Sequence, residues 1–95
     1  LLNNPFDKYP VVSWYIIKKV MIANEFEESH IDDENFIHFR KNRPTGDTRY
    51  PLDVQVPKLN PIPKMYLEGI ISSSEINEDQ FLGQIGVIKI EEKQK

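Results

Sequence analysis

The chain has 95 residues, a net charge of −3 and no cysteine, which fits one small soluble domain. The lack of cysteine excludes disulfides, thiolate metal sites and cysteine nucleophiles. It also fits a reducing compartment such as the cytoplasm, although a removed signal peptide is compatible with it, so the localisation stays unassigned. The acidic balance gives no overall attraction to nucleic acid or anionic membranes. No apolar run approaches the ~20 residues of a membrane span.

Residues 1–10 contain two prolines and two asparagines and are predicted to form an irregular lead-in. A single β-rich domain is expected over residues 11–95. The lead-in nevertheless carries four large apolar side chains, which need to dock on the domain or on a partner: Leu1, Leu2, Phe6 and Tyr9.

Residues 11–23 form the most apolar segment, and we predict that they are the first strand. In a helix, Ser13 and Asn24 would fall on the same side as Ile17 and spoil the apolar stripe. In a strand, the even positions form one apolar face that only Lys18 interrupts. The segment is also rich in β-branched residues, which favour strands: Val11, Val12, Ile16, Ile17 and Val20.

Four further strands are predicted at residues 36–41, 50–56, 65–72 and 81–91. Three prolines, at 57, 61 and 63, confine the link after the third strand to an extended path. No long amphipathic helix is apparent between the strands, which favours antiparallel pairing. The predicted fold class is therefore mainly β, a small antiparallel β-barrel or compact β-sandwich of about five strands with at most one short helix.

An acidic segment spans residues 25–35 and also contains His30. Clustered carboxylates suit a hard cation, and a histidine among them could recruit a transition metal. The spacing, however, lacks the Asp-x-Asp-x-Asp-Gly order of a calcium loop. A solvated loop, or an acidic face for a basic partner, explains the same residues, and we predict no metal and no cofactor.

The next segment is basic and aromatic. Cations beside aromatic rings are what single-stranded nucleic acid or a phosphate ligand requires, although a charged strand end with core aromatics explains the same pattern. The loop at Pro44 lacks the spacing of a phosphate-binding loop. The candidate binding residues in this segment are Phe39, Arg40, Lys41, Arg43, Arg49 and Tyr50.

Catalysis has few candidates in this sequence. His30 and His38 are the only side chains whose ordinary pKa lies near neutrality. The serines at 72–74 offer hydroxyl groups, but no Gly-x-Ser-x-Gly motif surrounds them. His38 alternates with Phe36 and Arg40 and is predicted to face solvent from a strand. We therefore predict that the chain is not an enzyme.

Trp14, the single tryptophan, completes the set of candidate binding residues. Its default role is core packing, but an exposed tryptophan would indicate an interface. The sequence favours a non-catalytic binding or assembly module that contacts another protein or a second copy of itself. The alternatives are a nucleic-acid-binding barrel that uses residues 39–50, and a small enzyme or metal protein that uses His30 or His38.

Overall fold

The computed structural model describes residues 6–46 and 49–93, and within them it contains three helices and three strands. Their order is α1 (Trp14–Ala23), β1 (Glu27–Ile31), β2 (Phe36–Lys41), β3 (Leu52–Pro57), α2 (Lys64–Ser74) and α3 (Glu78–Lys93). This is an α/β fold with an open sheet. The predicted five-stranded barrel or sandwich with at most one helix is therefore wrong.

The three strands form an antiparallel sheet in the order β1-β2-β3. The predicted strand at 36–41 is β2, and the one at 50–56 corresponds to β3. β1 lies in the segment interpreted as an acidic loop, and all five of its side chains are exposed. It is an edge strand with a register irregularity between Glu28 and His30. Because it buries no alternate positions, its sequence carries no strand pattern.

The segment predicted as the first strand is α1. Ser13 is the residue before the helix and Asn24 the residue after it, so neither polar side chain interrupts the apolar stripe. The Asn24 side-chain amide donates to the Val20 carbonyl at 2.8 Å, which satisfies a backbone group at the helix end. The buried side chains recur with helical spacing: Ile16, Ile17, Val20 and Met21.

The segment predicted as the fourth strand is α2. It begins directly after Pro63 and ends before Glu75, which adopts a left-handed conformation with φ of 59°. Proline is tolerated at a helix start because the first amides have no partner within the helix. The buried positions are separated by three, four and seven residues, which is helical spacing: Leu67, Ile70, Ile71 and Ser74.

The segment predicted as the fifth strand is α3. The Asn77 side chain caps its start by accepting the Gln80 amide at 3.2 Å, a role for which asparagine is well suited. Glu78 and Asp79 lie in the first turn and Lys93 in the last, which complements the helix dipole. Phe81 and Ile85 are its buried residues.

One face of the sheet packs against the helices and forms the core. From β2 and β3 it receives Ile37, Phe39, Val54 and Val56, and from the lead-in Tyr9. The proline-rich link also contributes, since Ile62 is buried and its amide donates to the Val12 carbonyl at 2.8 Å. The link contains a cis peptide between Asn60 and Pro61.

The other face of the sheet carries His30, His38, Arg40 and Asp53, because these positions alternate with the buried ones along the strands. Two surfaces are thus available for function: this polar sheet face and the outer sides of the helices. In the part of the chain that the structure describes, no helix has both the length and the apolarity to cross a bilayer.

Candidate functional site

The outward side of α1 carries an exposed apolar surface, which we call the α1 patch. Tyr15 is 39% exposed and Ile22 is 50% exposed, and the two lie seven residues apart on the same side of the helix. This side faces away from the buried stripe of α1. The patch comprises Trp14, Tyr15, Lys18, Lys19, Ile22 and Ala23.

Trp14 is held at one end of the patch by contacts on two sides. It packs partly against the core, and its backbone amide donates to the Leu59 carbonyl at 3.0 Å. Its ring meets Tyr15 edge to face, with 6.3 Å between ring centroids. The Lys58 ammonium lies 5.2 Å from the Trp14 ring centroid. Trp14 is therefore half-buried and fixed in position where it borders the patch, and tryptophan is enriched among binding hot spots.

Lysines border the α1 patch on both sides of its apolar stripe. Lys18 pairs with Glu28 at 3.1 Å, and Lys19 pairs with Glu92. The hydrogen bond that Lys19 donates to Glu92 raises the pKa of Lys19 above its usual value. Pairs between such exposed side chains contribute little to stability, so a partner's carboxylates could replace them at low cost.

The predicted basic and aromatic segment divides between the two faces of the sheet. Phe39 is fully buried in the core, so its ring is not accessible for stacking on a base. Arg40 points to the opposite face, directly across from Glu27 of β1. Lys41 returns toward the helices, with its ammonium 5.6 Å from the Phe26 ring centroid.

Arg43 is held by the end of α2. Its guanidinium donates to both carboxylate oxygens of Glu75, at 3.2 and 3.0 Å, and its Nε donates to the Tyr50 carbonyl at 2.6 Å. Arg49 and Tyr50 are exposed, and Tyr50 is 91% accessible. The six residues therefore do not share one surface, and nucleic-acid binding by this segment stays a prediction.

His38 lies between two carboxylates on the open face of the sheet. Its Nε2 is 2.8 Å from Asp32 Oδ2, and its Nδ1 is 3.4 Å from Asp53 Oδ1. The hydrogen bond to Asp32 raises the pKa of His38, and the same bond lowers the pKa of Asp32. The His30 ring stacks on the His38 ring, with 4.2 Å between centroids and 14° between planes.

Each ring nitrogen of His38 thus faces a carboxylate, Asp32 on one side and Asp53 on the other, and a protonated ring can donate to both. Of the serine run, Ser73 lines a surface pocket together with Asp53 of β3, whereas Ser74 belongs to the end of α2. The Ser74 hydroxyl donates to the Ile71 carbonyl at 2.7 Å and accepts the Ile76 amide at 3.1 Å. The Ser74 hydroxyl therefore bonds to the backbone at the end of the helix.

Asp32 organises the turn between β1 and β2. Its Oδ1 accepts the Glu34 amide at 2.9 Å and the Phe36 amide at 3.0 Å, which is the geometry of an Asx turn. Within residues 6–46 and 49–93, no group of three His, Asp or Glu side chains is arranged to hold a metal ion. The carboxylates of the acidic segment are thus spread along an edge strand and its turn.

No family model, no curated protein and no solved structure matches this chain. The functional argument therefore depends on the chemistry of its surfaces.

Of the α1 patch, only Trp14 was predicted from the sequence. Tyr15 and Ile22 were missed because they share a side only if the segment is a helix. The signal was present in their spacing of seven residues with Lys18 and Lys19 between them, since positions i, i+3, i+4 and i+7 fall on one face of a helix.

Proposed function

We propose that this chain is a non-catalytic binding module that holds a segment of another protein against the α1 patch. The observation that carries the proposal is the exposure of Tyr15 and Ile22 beside Trp14 on a helix whose opposite side is anchored in the core. Contiguous exposed apolar groups with a polar border mark interaction surfaces. A helix fixed by its buried face presents them with little ordering cost.

The proposed partner segment is an amphipathic helix whose apolar stripe is flanked by Asp or Glu. The patch runs along a single helix, and side-chain ridges of one helix pack into the grooves of another. Lys18 and Lys19 lie on either side of the line from Tyr15 to Ile22, and Lys58 lies over Trp14. Acidic flanks on the partner would meet these ammonium groups, which speeds association and fixes orientation.

The edge of the sheet is a less suitable docking surface. β1 presents Glu27 and Glu28 and a register irregularity, and charges and bulges on an edge strand oppose the addition of another strand. Strand addition would also need regular, evenly exposed backbone groups. We therefore propose that the partner docks on α1 rather than on the edge of β1.

Trp14 provides a built-in reporter, because it is the only tryptophan. The test titrates the chain with two tryptophan-free peptides of about 18 residues, long enough to form a helix. Both carry the same leucine stripe, flanked by Glu in one and by Lys in the other. We expect the Glu-flanked peptide to shift the Trp14 emission with saturation. We expect Ile22→Asp to weaken its binding at least about tenfold.

The matched control is Ile90→Asp, which changes an isoleucine on α3 of similar exposure, 59% against 50% for Ile22, and should leave the titration unchanged. Circular dichroism of both variants checks that each is folded. The proposal would be overturned if the two peptides bound equally or if neither changed the Trp14 emission. It would also be overturned if Ile22→Asp bound the Glu-flanked peptide as the wild type does.

A further inference from the structure

The surface pocket that Asp53 and Ser73 line is a shallow groove of about 340 Å³ between α2 and the open face of the sheet. We call it the α2 groove. Asp53 and Gln55 of β3 form its floor, because alternate side chains of this strand point to the open face. Met65, Gly69 and Ser73 form its wall, since residues four apart share one side of a helix. No residue lines both this groove and the α1 patch.

The end of the groove near the start of α2 is aromatic. The rings of Phe36 and Tyr66 meet edge to face there, with 6.0 Å between their centroids. Tyr66 is 41% exposed and Met65 is 63% exposed. Tyr66 and Ser73 are separated by seven residues of α2, or about 10 Å along the helix axis. The groove thus has an accessible apolar surface at one end and room for a small molecule that reaches the other.

Asp53 makes the other end of the groove acidic. One of its carboxylate oxygens lies 3.4 Å from His38 Nδ1, and the side chain is 43% exposed. Arg40 lies directly across from Asp53 in the sheet, but the Arg40 side chain lines a different hollow with Glu25 and Glu27. In the part of the chain that the structure describes, no lysine or arginine forms an ion pair with Asp53 or lines the groove. One edge of this carboxylate is therefore accessible to a cation from solution.

Gly69 keeps the middle of the groove open. It lies inside α2, where glycine is less favourable than alanine by about 0.5–1 kcal/mol. A Cβ atom at this position would meet nothing within 4 Å, so packing within the chain does not require the glycine. Because Gly69 lines the groove between Met65 and Ser73, a larger side chain here would occupy the space that connects the two ends.

We propose that the α2 groove binds a small organic cation, an ammonium group carried on an apolar body. The ammonium group lies at the accessible edge of Asp53, where it donates a charge-assisted hydrogen bond. The apolar body lies over Gly69 and packs against Met65 and Tyr66. A mostly apolar hollow with a few polar groups that fix orientation is typical of small-molecule sites. This proposal goes beyond the proposed function, because it concerns another surface and another class of ligand.

The test titrates the full chain with phenylbutylamine or with phenylbutyrate and follows the backbone amide signals of Gln55 and Ser73 by NMR. The two probes share a phenyl ring and a similar length, and they differ in the sign of their charge. For a ligand of this size in a shallow groove, the dissociation constant of the amine is expected to be on the order of 1 mM. We expect the amine to shift both signals with saturation and the carboxylate to bind at least about tenfold more weakly.

Two substitutions test the two ends of the argument. Asp53→Asn should weaken binding of the amine at least about tenfold, because it removes the charge of the carboxylate. Gly69→Leu should block the groove while it favours the helix. Gly83→Leu on α3, where an added Cβ also meets nothing within 4 Å, is the matched control and should leave the titration unchanged. Circular dichroism checks that each variant is folded.

Equal binding of the two probes would contradict the role of Asp53 and overturn the proposal. So would signals that do not move at about 10 mM amine, ten times the expected dissociation constant, or a Gly69→Leu variant that binds the amine as the wild type does. The α1 patch is tested separately through the Trp14 emission, so the failure of one proposal is distinguishable from the failure of the other.

Discussion

His38 Nε2 lies 2.8 Å from Asp32 Oδ2, and this bond connects β2 to the turn that precedes it. Asp32 is already fixed by the amides of Glu34 and Phe36. The carboxylate is therefore pre-positioned for the imidazolium, and Asp53 approaches from β3 on the other side. His38 of β2 therefore contacts the β1–β2 turn through Asp32 and β3 through Asp53.

The first prediction concerns the pH dependence of stability. The pKa of His38 is raised above 6.5, chiefly by the bond to Asp32. Its contribution is thus fully present below pH 6.5 and is lost as the pH rises through the raised pKa. The unfolding free energy of the wild type should fall as the pH rises from 6.5 through the raised pKa of this group. His38→Gln should remove that decline, as measured by urea denaturation at a series of pH values.

His30→Gln is the control, since His30 stacks on His38 without bonding to Asp32, and it should keep the decline. A direct measurement is the NMR titration of the His38 ring, whose midpoint should move down toward 6.5 in Asp32→Asn. An identical decline in His38→Gln and the wild type would contradict the assignment. At the acidic end, the lowered pKa of Asp32 means that its own contribution is lost as the pH falls below about 3.8.

The second prediction concerns Arg43, which joins the loop after β2 to the end of α2. Its two bonds to Glu75 and one to the Tyr50 carbonyl need the planar fork of a guanidinium. Arg43→Ala should lower the unfolding free energy by about 1 kcal/mol. Arg43→Lys should recover less than half of that loss. If Arg43→Lys recovered the full unfolding free energy, the positive charge alone would account for the effect and the prediction would be contradicted.

The third prediction compares a buried residue and an exposed residue of the predicted binding segment. Phe39 is fully buried, and Phe39→Ala should cost about 3–5 kcal/mol of stability through loss of burial and creation of a cavity. Tyr50 is 91% exposed, and Tyr50→Ala should change stability by less than about 0.5 kcal/mol. Thermal and chemical denaturation measure both. A mild effect at Phe39 would contradict its place in the core.

The fourth prediction concerns the serine run at the end of α2. Ser74 is buried and bonds to both the Ile71 carbonyl and the Ile76 amide. Ser74→Ala leaves those groups without this partner and should cost about 1–2 kcal/mol. Ser72→Ala and Ser73→Ala alter exposed neighbours and should stay within about 0.5 kcal/mol. Equal effects at all three positions would contradict the assigned role of Ser74.

The helices were missed in the sequence for an identifiable physical reason. Ser13 and Asn24 were counted as positions inside a regular element, but they are its end residues. The run of isoleucine and valine in α1 favours strands locally, and burial against the sheet overrides that preference. In α3, Gly83 and Gly86 resemble the glycines of strand bends, although they lie on the surface of a helix.

The parts that were predictable are those with one buried face and one polar face. β2 and β3 alternate clearly, which is why residues 36–41 and 50–56 were predicted as strands. The residues of the candidate site were harder to predict. Trp14 was identified by residue type, but the contacts of His38 with Asp32 and Asp53 depend on the register of three strands, and sequence spacing does not determine that register.

The glutamates and the irregularity of β1 also affect how this chain behaves when it is concentrated. Strand pairing at an open edge has no natural end, since each added copy offers a fresh edge to the next. The exposed glutamates and the register irregularity of β1 oppose such addition, so the open edge of this sheet is protected against growth into a fibril.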